Sequence, residues 1–295
     1  MRIVNVCGGL GNQMFQYAFA LALKERFPGE DILLDTQHYR HLFFGRIGSY
    51  NLHNGFEIPE LFPGASLKIA TRQQIRTVSR YIPNYILSRI ARKYLPALPS
   101  EFIEKANYSY DPEPLRIPGD CYYEGYWQCE EFYRTLVPEL RSVFSFKDPN
   151  DYNRTIEAKV LLEDSVGIHI RRGDYLKDPE YKGICEVDYY RRAVDLLGTE
   201  GKMFFVFSND IPWCMECLPL FIPEENILYV TGNMGKNSPW DMYLMSRCKQ
   251  LIIANSTFSW WGAYLNETAQ RIVAPRKWIN RNGRIDICPK SWILI

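Results

Sequence analysis

The chain of 295 residues carries 35 Lys and Arg against 34 Asp and Glu, a net charge of +1, with 46% hydrophobic and 23% charged residues. That balance excludes a general nucleic-acid binder, which needs an excess basic field to condense on phosphates. No apolar run approaches the ~20 residues needed to cross a bilayer, and Met1–Val6 runs straight into a strand pattern, so a cytoplasmic, soluble chain of two ordinary domains is expected.

In chain order, Arg2–Val6 reads as a strand, Gly8-Gly-Leu-Gly11 as a loop, Asn12 to Phe27 as a helix and Asp31–Asp35 as the next strand. This is a βαβ unit with a glycine-rich first turn. Gly9 and Gly11 would let a ligand approach the backbone, and Asn12 and Gln13 add amide groups. The alternative is a plain tight βα turn. The third glycine of a dinucleotide fingerprint is missing, because Met14 occupies its place, so a nicotinamide cofactor is not indicated.

Between Leu67 and Ser100 no acid occurs. Lys68, Arg72, Arg76 and Arg80 fall four apart, so a single helix would carry them as one stripe. Arg89, Arg92 and Lys93 follow after a helix break expected at Pro83. The stripe has two readings: a solvated helical face, or a weak contact with a membrane surface or another anionic partner.

A domain boundary is expected near Asp148-Pro-Asn-Asp151, where Pro and polar residues cluster. It divides the chain into 1–150 and 151–295. Beyond it, alternation strengthens. Val166–Ile170, Met203–Phe207, Ile227–Val230, Gln250–Ala254 and Arg271–Ala274 read as strands. Val187–Leu197, Trp240–Arg247 and Phe258–Asn266 read as helices. Repeated β-α-β implies parallel sheets covered by helices, hence an α/β chain with two Rossmann-like domains facing a cleft.

In such sheets, ligands bind outside the carboxyl ends of the strands. Three predicted ends are polar: His169 with Arg171, Arg172 and Asp174; Ser208, Asn209 and Asp210; and Asn255, Ser256 and Thr257 ahead of Phe258. Adjacent arginines suit a carboxylate or phosphate, which their planar forks grip bidentately. The alternative is a loop in which they pair with Asp174 or another acid. Short hydroxyls and backbone N–H groups at a helix start face an anion well, whereas plain capping would need just one of those residues. Trp260 and Trp261 are adjacent on a helix, so at most one could reach a ligand.

Other chemistry is disfavoured by absent motifs. There is no Asp-x-Asp to hold a divalent ion, no H-E-x-x-H among the four histidines (His38, His41, His53, His169), and no G-x-S-x-G. Gly232–Lys236 mimics a phosphate loop but lacks its first glycine and its Ser/Thr, and reads as a surface turn. The eight cysteines contain one C-x-x-C pair, Cys214 and Cys217, and reduced thiols are expected.

Four blocks together resemble the bacterial-type α-1,2-fucosyltransferases of glycosyltransferase family 11. They are Gly8-Gly-Leu-Gly-Asn-Gln-Met-Phe-Gln-Tyr17, His169-Ile-Arg-Arg-Gly-Asp-Tyr175, Phe207-Ser-Asn-Asp210, and the run from Met245 to Tyr264 that includes Asn-Ser-Thr-Phe-Ser-Trp-Trp-Gly. Leu42 to Arg154 carries little of this signal. The resemblance implies a GT-B-like fold, with an acceptor-side domain over 1–150 and a donor domain over 151–295. It implies inverting transfer of L-fucose from GDP-β-L-fucose to the 2-hydroxyl of a galactose-terminated oligosaccharide or glycolipid, with no metal or other cofactor. By position, His169 then resembles a guanosine-side contact and Arg171 the arginine gripping the diphosphate, with Arg172 supporting it. Asp210, beside Asn209, resembles a guanine-recognition carboxylate. Asn255, Ser256, Thr257 and Phe258 match the stretch that meets the β-phosphate, and the glycine loop would lie near the sugar and acceptor.

The general base stays open at this stage. Asp174 is a candidate, with a structural role tying down the arginines as its alternative, and Asp241 is another. Three rival readings remain: a transferase using another nucleotide sugar or forming another linkage, a non-catalytic sugar- or nucleotide-binding module, and a membrane-surface scaffold. A peripheral contact at the inner membrane face would run through the Lys68–Arg80 stripe.

Overall fold

The computed structural model describes residues 1–40, 54–80, 82, 85–105 and 107–295. The helix break expected at Pro83, with His41 and His53, lies outside them. The described chain divides into two compact units, 1–145 with 284–287, and 146–283 with 288–295.

The first unit runs β1 (Arg2–Asn5), α1 (Leu10–Arg26), β2 (Ile32–Asp35), α2 (Gln37–Arg40), α3 (Ile58–Leu61) and β3 (Lys68–Ile69). It continues through α4 (Arg72–Val78), α5 (Tyr85–Tyr94), β4 (Glu101–Ile103), β5 (Cys121–Glu124) and α6 (Val137–Val143). Among the described residues its sheet is parallel, in the order β3-β2-β1-β5-β4. The order reverses between β1 and β5, which opens a crevice at their carboxyl ends. Helix α1 is buried along most of its length, from Leu10 to Leu23 except Asn12. Its Phe19 ring stacks on Trp127 at 3.9 Å and meets Tyr123 and Phe132 edge-on. Such aromatic contacts fix the helix against the sheet beyond what buried area alone supplies.

The second unit runs α7 (Asp151–Leu162), β6 (Ser165–Ile170), α8 (Val187–Leu197), β7 (Met203–Ser208), α9 (Ile211–Cys217) and β8 (Ile227–Tyr229). It ends with α10 (Pro239–Met245), β9 (Gln250–Ile252), α11 (Thr257–Tyr264), β10 (Arg271–Ala274) and β11 (Ile293–Leu294). Its parallel sheet has the order β11-β10-β9-β6-β7-β8. Here the reversal falls between β6 and β9. All six residues of β6 are buried, because helices cover a central parallel strand. Gly167 has no room for a side chain: a Cβ there would lie 2.7 Å from Leu251 and 2.9 Å from Cys248.

Three local expectations are corrected. The basic stripe is not one helix. Lys68 lies in β3, and the capping box of Thr71 with Gln74 starts α4 at Arg72. That helix closes at Val78, so Arg80 lies beyond it. Helix α1 begins at Leu10, two residues early, so Leu10 and Gly11 belong to its first turn and not to the loop. Trp260 and Trp261 are both fully buried, so neither reaches a ligand. Short strands β3, β4, β5 and β11 and helix α7 had no counterpart in the sequence reading.

Candidate functional site

In the second unit, β6 and β9 pair side by side and parallel, which brings their carboxyl ends together at the point where strand order reverses. Arg171 leaves β6 there. Asn255, Ser256 and Thr257 leave β9 and start α11. These residues are 84 or more positions apart in sequence, and the sheet makes them neighbours. With Tyr175, Cys185 and Glu186, residues Arg171 and Asn255 line a shallow depression.

Arg171 is one-third exposed; its Nη2 donates to Asp174 Oδ2 at 3.0 Å and lies 2.8 Å from Oδ1 as an ion pair. Among the described residues its Nε and Nη1 bond no protein group, so half of the fork remains available. The guanidinium lies 5.3 Å from the ring centre of Tyr175. Burial pushes the Tyr175 phenol well up, with the Arg171 charge a smaller opposing influence. The tyrosine ring thus lies beside the arginine in the same depression.

Arg172 points elsewhere. Its Nε pairs with Asp210 Oδ2 at 3.0 Å, and its guanidinium sits 4.2 Å from the Trp213 ring centre. The backbone of Arg172 is clamped by Asn209, whose Oδ1 accepts from Arg172 N at 2.9 Å while Nδ2 donates to Arg172 O. Gly173, at φ +66°, permits this clamp, since a Cβ would lie 2.9 Å from Asn209 Nδ2. Asp210 also caps α9 by accepting from Trp213 N. Asn209 and Asp210 therefore act first on the protein, holding the loop that carries Arg171.

His169 is the penultimate residue of β6, and its side chain is buried. Burial, with a smaller contribution from the Arg171 charge, holds its imidazole down to about 3, so it is neutral. Its Nδ1 is buried without a hydrogen-bond partner, and its ring lies 5.8 Å from Phe258. An orphaned buried nitrogen at a strand's carboxyl end is a point where a ligand group would restore the missing bond.

The start of α11 is open. Ser256 occupies the N-cap, yet its side chain makes no capping hydrogen bond. The plain-capping alternative does not hold, and the first N–H groups of the helix are left for another acceptor. Asn255 is buried and donates to Trp278 O at 3.0 Å, so it fixes the strand-to-helix corner.

Asp241 stands in the first turn of α10 and accepts from Asn233 at 2.9 Å; Asn233 also exchanges amide bonds with Asn153. Burial raises its carboxyl to about 7, against the pull of the Asn233 bond. The segment read as a surface turn thus contributes a buried residue, Asn233.

In the first unit, the glycine segment lies at that sheet's own reversal point. Gly8 has φ +83°. Gln13 is fully buried and its amide is occupied, donating to Gly8 O and Gly55 O and accepting from Glu57 N. Gln16 bridges the crevice from Cys7 N to Gly125 O. Asn12 accepts from Gln128 at 2.8 Å. The glycines shape the turn, and of the two amides Asn12 is the one left partly accessible.

Glu104 was missed by sequence reasoning. Its Oε2 accepts from Tyr126 N at 2.6 Å and Trp127 N at 3.3 Å, while Oε1 is buried without a partner. Burial outweighs those bonds and raises the carboxyl to about 7. Its partners follow 22 residues later, through a turn in which Trp127 takes φ +58°, a conformation nothing in the sequence marks.

Among the described residues, no group of three or more His, Cys, Asp or Glu gathers to hold a metal ion, and none of the eight cysteines is in a disulfide. No helix of the described residues is long and apolar enough to cross a membrane.

The family model of glycosyl transferase family 11 matches residues 1–295. The chain belongs to that family. It is similar to an alpha-1,2-colitosyltransferase of Escherichia coli, 32% identical over 99% of this chain and 98% of the relative. It is also similar to galactoside alpha-(1,2)-fucosyltransferase 1 of Saimiri boliviensis boliviensis, 30% identical over 45% of this chain and 40% of the relative. Among solved structures it resembles NodZ alpha-1,6-fucosyltransferase co-crystallized with GDP. The TM-score is 0.50, at 17% identity, covering 92% of this chain and 93% of NodZ. This family 11 chain is thus a glycosyltransferase built from two Rossmann-like α/β units, the GT-B-like class.

Proposed function

We propose that this family 11 enzyme transfers L-fucose from GDP-β-L-fucose, with inversion and without a metal, to the 2-hydroxyl of a terminal galactoside. One observation carries the proposal: a half-free arginine fork and an uncapped helix start converge at the strand-order reversal of the second unit. Breaking the fucosyl–oxygen bond places negative charge on the departing diphosphate. Arg171 Nε and Nη1, with the first N–H groups of α11 at Thr257 and Phe258, are donors suited to that charge. They act in place of a metal's positive charge. His169 Nδ1 would meet the nucleoside. Arg172, Asn209 and Asp210 brace the loop, and this reading gives Asp210 a structural role before any contact with guanine. Asp174 has both oxygens on Arg171, so it orients the fork and is not the base. Asn12, at the glycine turn of the first unit, would contact sugar.

A second reading concerns the donor alone. The colitosyltransferase relative matches this chain along its whole length, whereas the fucosyltransferase relative matches less than half of it. Colitose in place of fucose on the same GDP leaving group would use the same phosphate donors. The test is to offer GDP-fucose and GDP-colitose separately with lactose, lacto-N-biose and N-acetyllactosamine, with excess chelator, and determine the product linkage. Fucosyl transfer to galactose O2 supports the proposal. Transfer of colitose alone selects the second reading, and another linkage, or dependence on a divalent ion, overturns both.

A further inference from the structure

Residues 67–100 contain seven Lys and Arg and no Asp or Glu, although the whole chain is nearly neutral. The remainder of the protein is therefore net acidic, and the positive charge is concentrated in this stretch. The described parts of this stretch belong to the first unit. The segments on either side of α5 are tied together: Ser100 Oγ donates to Val78 O at 2.8 Å, and Glu101 accepts from Arg80 N at 2.7 Å and from Leu98 N at 2.9 Å. Between them stands α5, an amphipathic helix.

The large apolar side chains of α5 that are described are exposed. Ile90 and Tyr94, one turn apart, are 48% and 74% exposed, and Leu95 just after them is 47% exposed. Leu87, at the spacing that puts it on the same face, is 54% exposed. A helix that docked against its own sheet would turn these residues inward, as α4 does with Ile75 and Val78. Lys93, also exposed, places its ammonium 5.5 Å from the Tyr94 ring centre. An apolar face ending in a tyrosine with a lysine beside it fits the boundary between acyl chains and headgroups, where rings and long basic side chains place their polar ends in water.

We propose that α5, held between tied segments in a stretch whose charged residues are all basic, docks the enzyme onto a lipid bilayer surface rich in anionic headgroups. Charge selects that occupant. Two copies meeting through this face would bring like charges together, whereas an anionic leaflet attracts each cation near its surface and also accepts the apolar face. The binding would be peripheral and reversible, since a ten-residue helix lies in the interface and does not span it. The inference is independent of the donor and linkage assigned above.

Co-sedimentation of the full chain with vesicles tests it, comparing phosphatidylcholine alone with phosphatidylcholine containing about one-third phosphatidylglycerol. The wild type should bind the anionic vesicles, and added salt should weaken that binding. The double variant Ile90→Glu/Tyr94→Glu should bind about tenfold more weakly or worse, and Lys93→Glu should weaken binding less. Circular dichroism and thermal unfolding unchanged from wild type would show that both variants fold. Absence of phosphatidylglycerol-dependent binding, or equal binding by a folded double variant, would overturn the proposal. So would a concentration-dependent dimer, without vesicles, that the double variant abolishes.

Discussion

Arg172 Nε and Asp210 Oδ2 lie 3.0 Å apart, joining the loop after β6 to the loop after β7. Arg171 and Arg172 are adjacent in sequence yet serve different ends. One arginine keeps free donors beside an open helix start, and the other is held between a carboxylate and the Trp213 ring.

The bracing pair should therefore show itself in stability. Both side chains are no more than one-third exposed, and Asp210 also caps α9. Asp210→Ala should cost about 1–3 kcal/mol in urea unfolding, from a lost charged bond and a lost cap. Asp210→Asn, which can still cap, should cost less. Equal stability of Asp210→Ala and wild type would contradict the bracing role.

Arg171→Ala removes the fork and should lower kcat by about 10²–10³ while weakening GDP binding, with stability little changed. Arg171→Lys should recover little, because a point charge cannot make paired, planar bonds. Steady-state kinetics at saturating donor, with GDP titration calorimetry, measure both effects.

Asp174→Asn separates orientation from base catalysis. As an orienting partner of Arg171, Asp174 should cost about tenfold or less in kcat when replaced, and the pH–rate profile should keep its shape. Loss of the limb that reports an ionised base would return Asp174 to the base position.

Glu104 gives a pH signature in the first unit. Its carboxyl titrates near 7 in the folded chain, above its ordinary 4.5. Between those values the folded state binds more protons than the unfolded one. Stability from this group is thus complete below about pH 4.5 and is lost as pH rises through 7. Glu104→Gln mimics the neutral acid and can still accept from Tyr126 N and Trp127 N. Between about pH 6 and pH 8 the variant should escape a decline of about 1–2 kcal/mol that the wild type shows in urea unfolding.

Where a signal was local and periodic, it was legible in advance. The predicted helix at Val187–Leu197 and strand at Arg271–Ala274 match the observed bounds, because alternation and helical spacing are strong there. The polar ends after Ile170, Phe207 and Ala254 were also visible, since strand-end chemistry follows from parallel topology. What could not be read was pairing across sequence distance. The Asn209 clamp on Arg172 and the Glu104 clamp on Tyr126 depend on contacts 37 and 22 residues apart. The basic stripe misled for a local reason: four-residue spacing was satisfied across strand β3, helix α4 and the irregular chain beyond it, while the capping residue Thr71 set where the helix starts.

The most direct measurement of the central claim is a crystal structure of the protein soaked with GDP in the presence of chelator. The account predicts the diphosphate bonded by Arg171 and by the N–H groups at Thr257 and Phe258, with Arg172 still paired to Asp210. Phosphates placed elsewhere, or bound solely when a divalent ion is supplied, would contradict it.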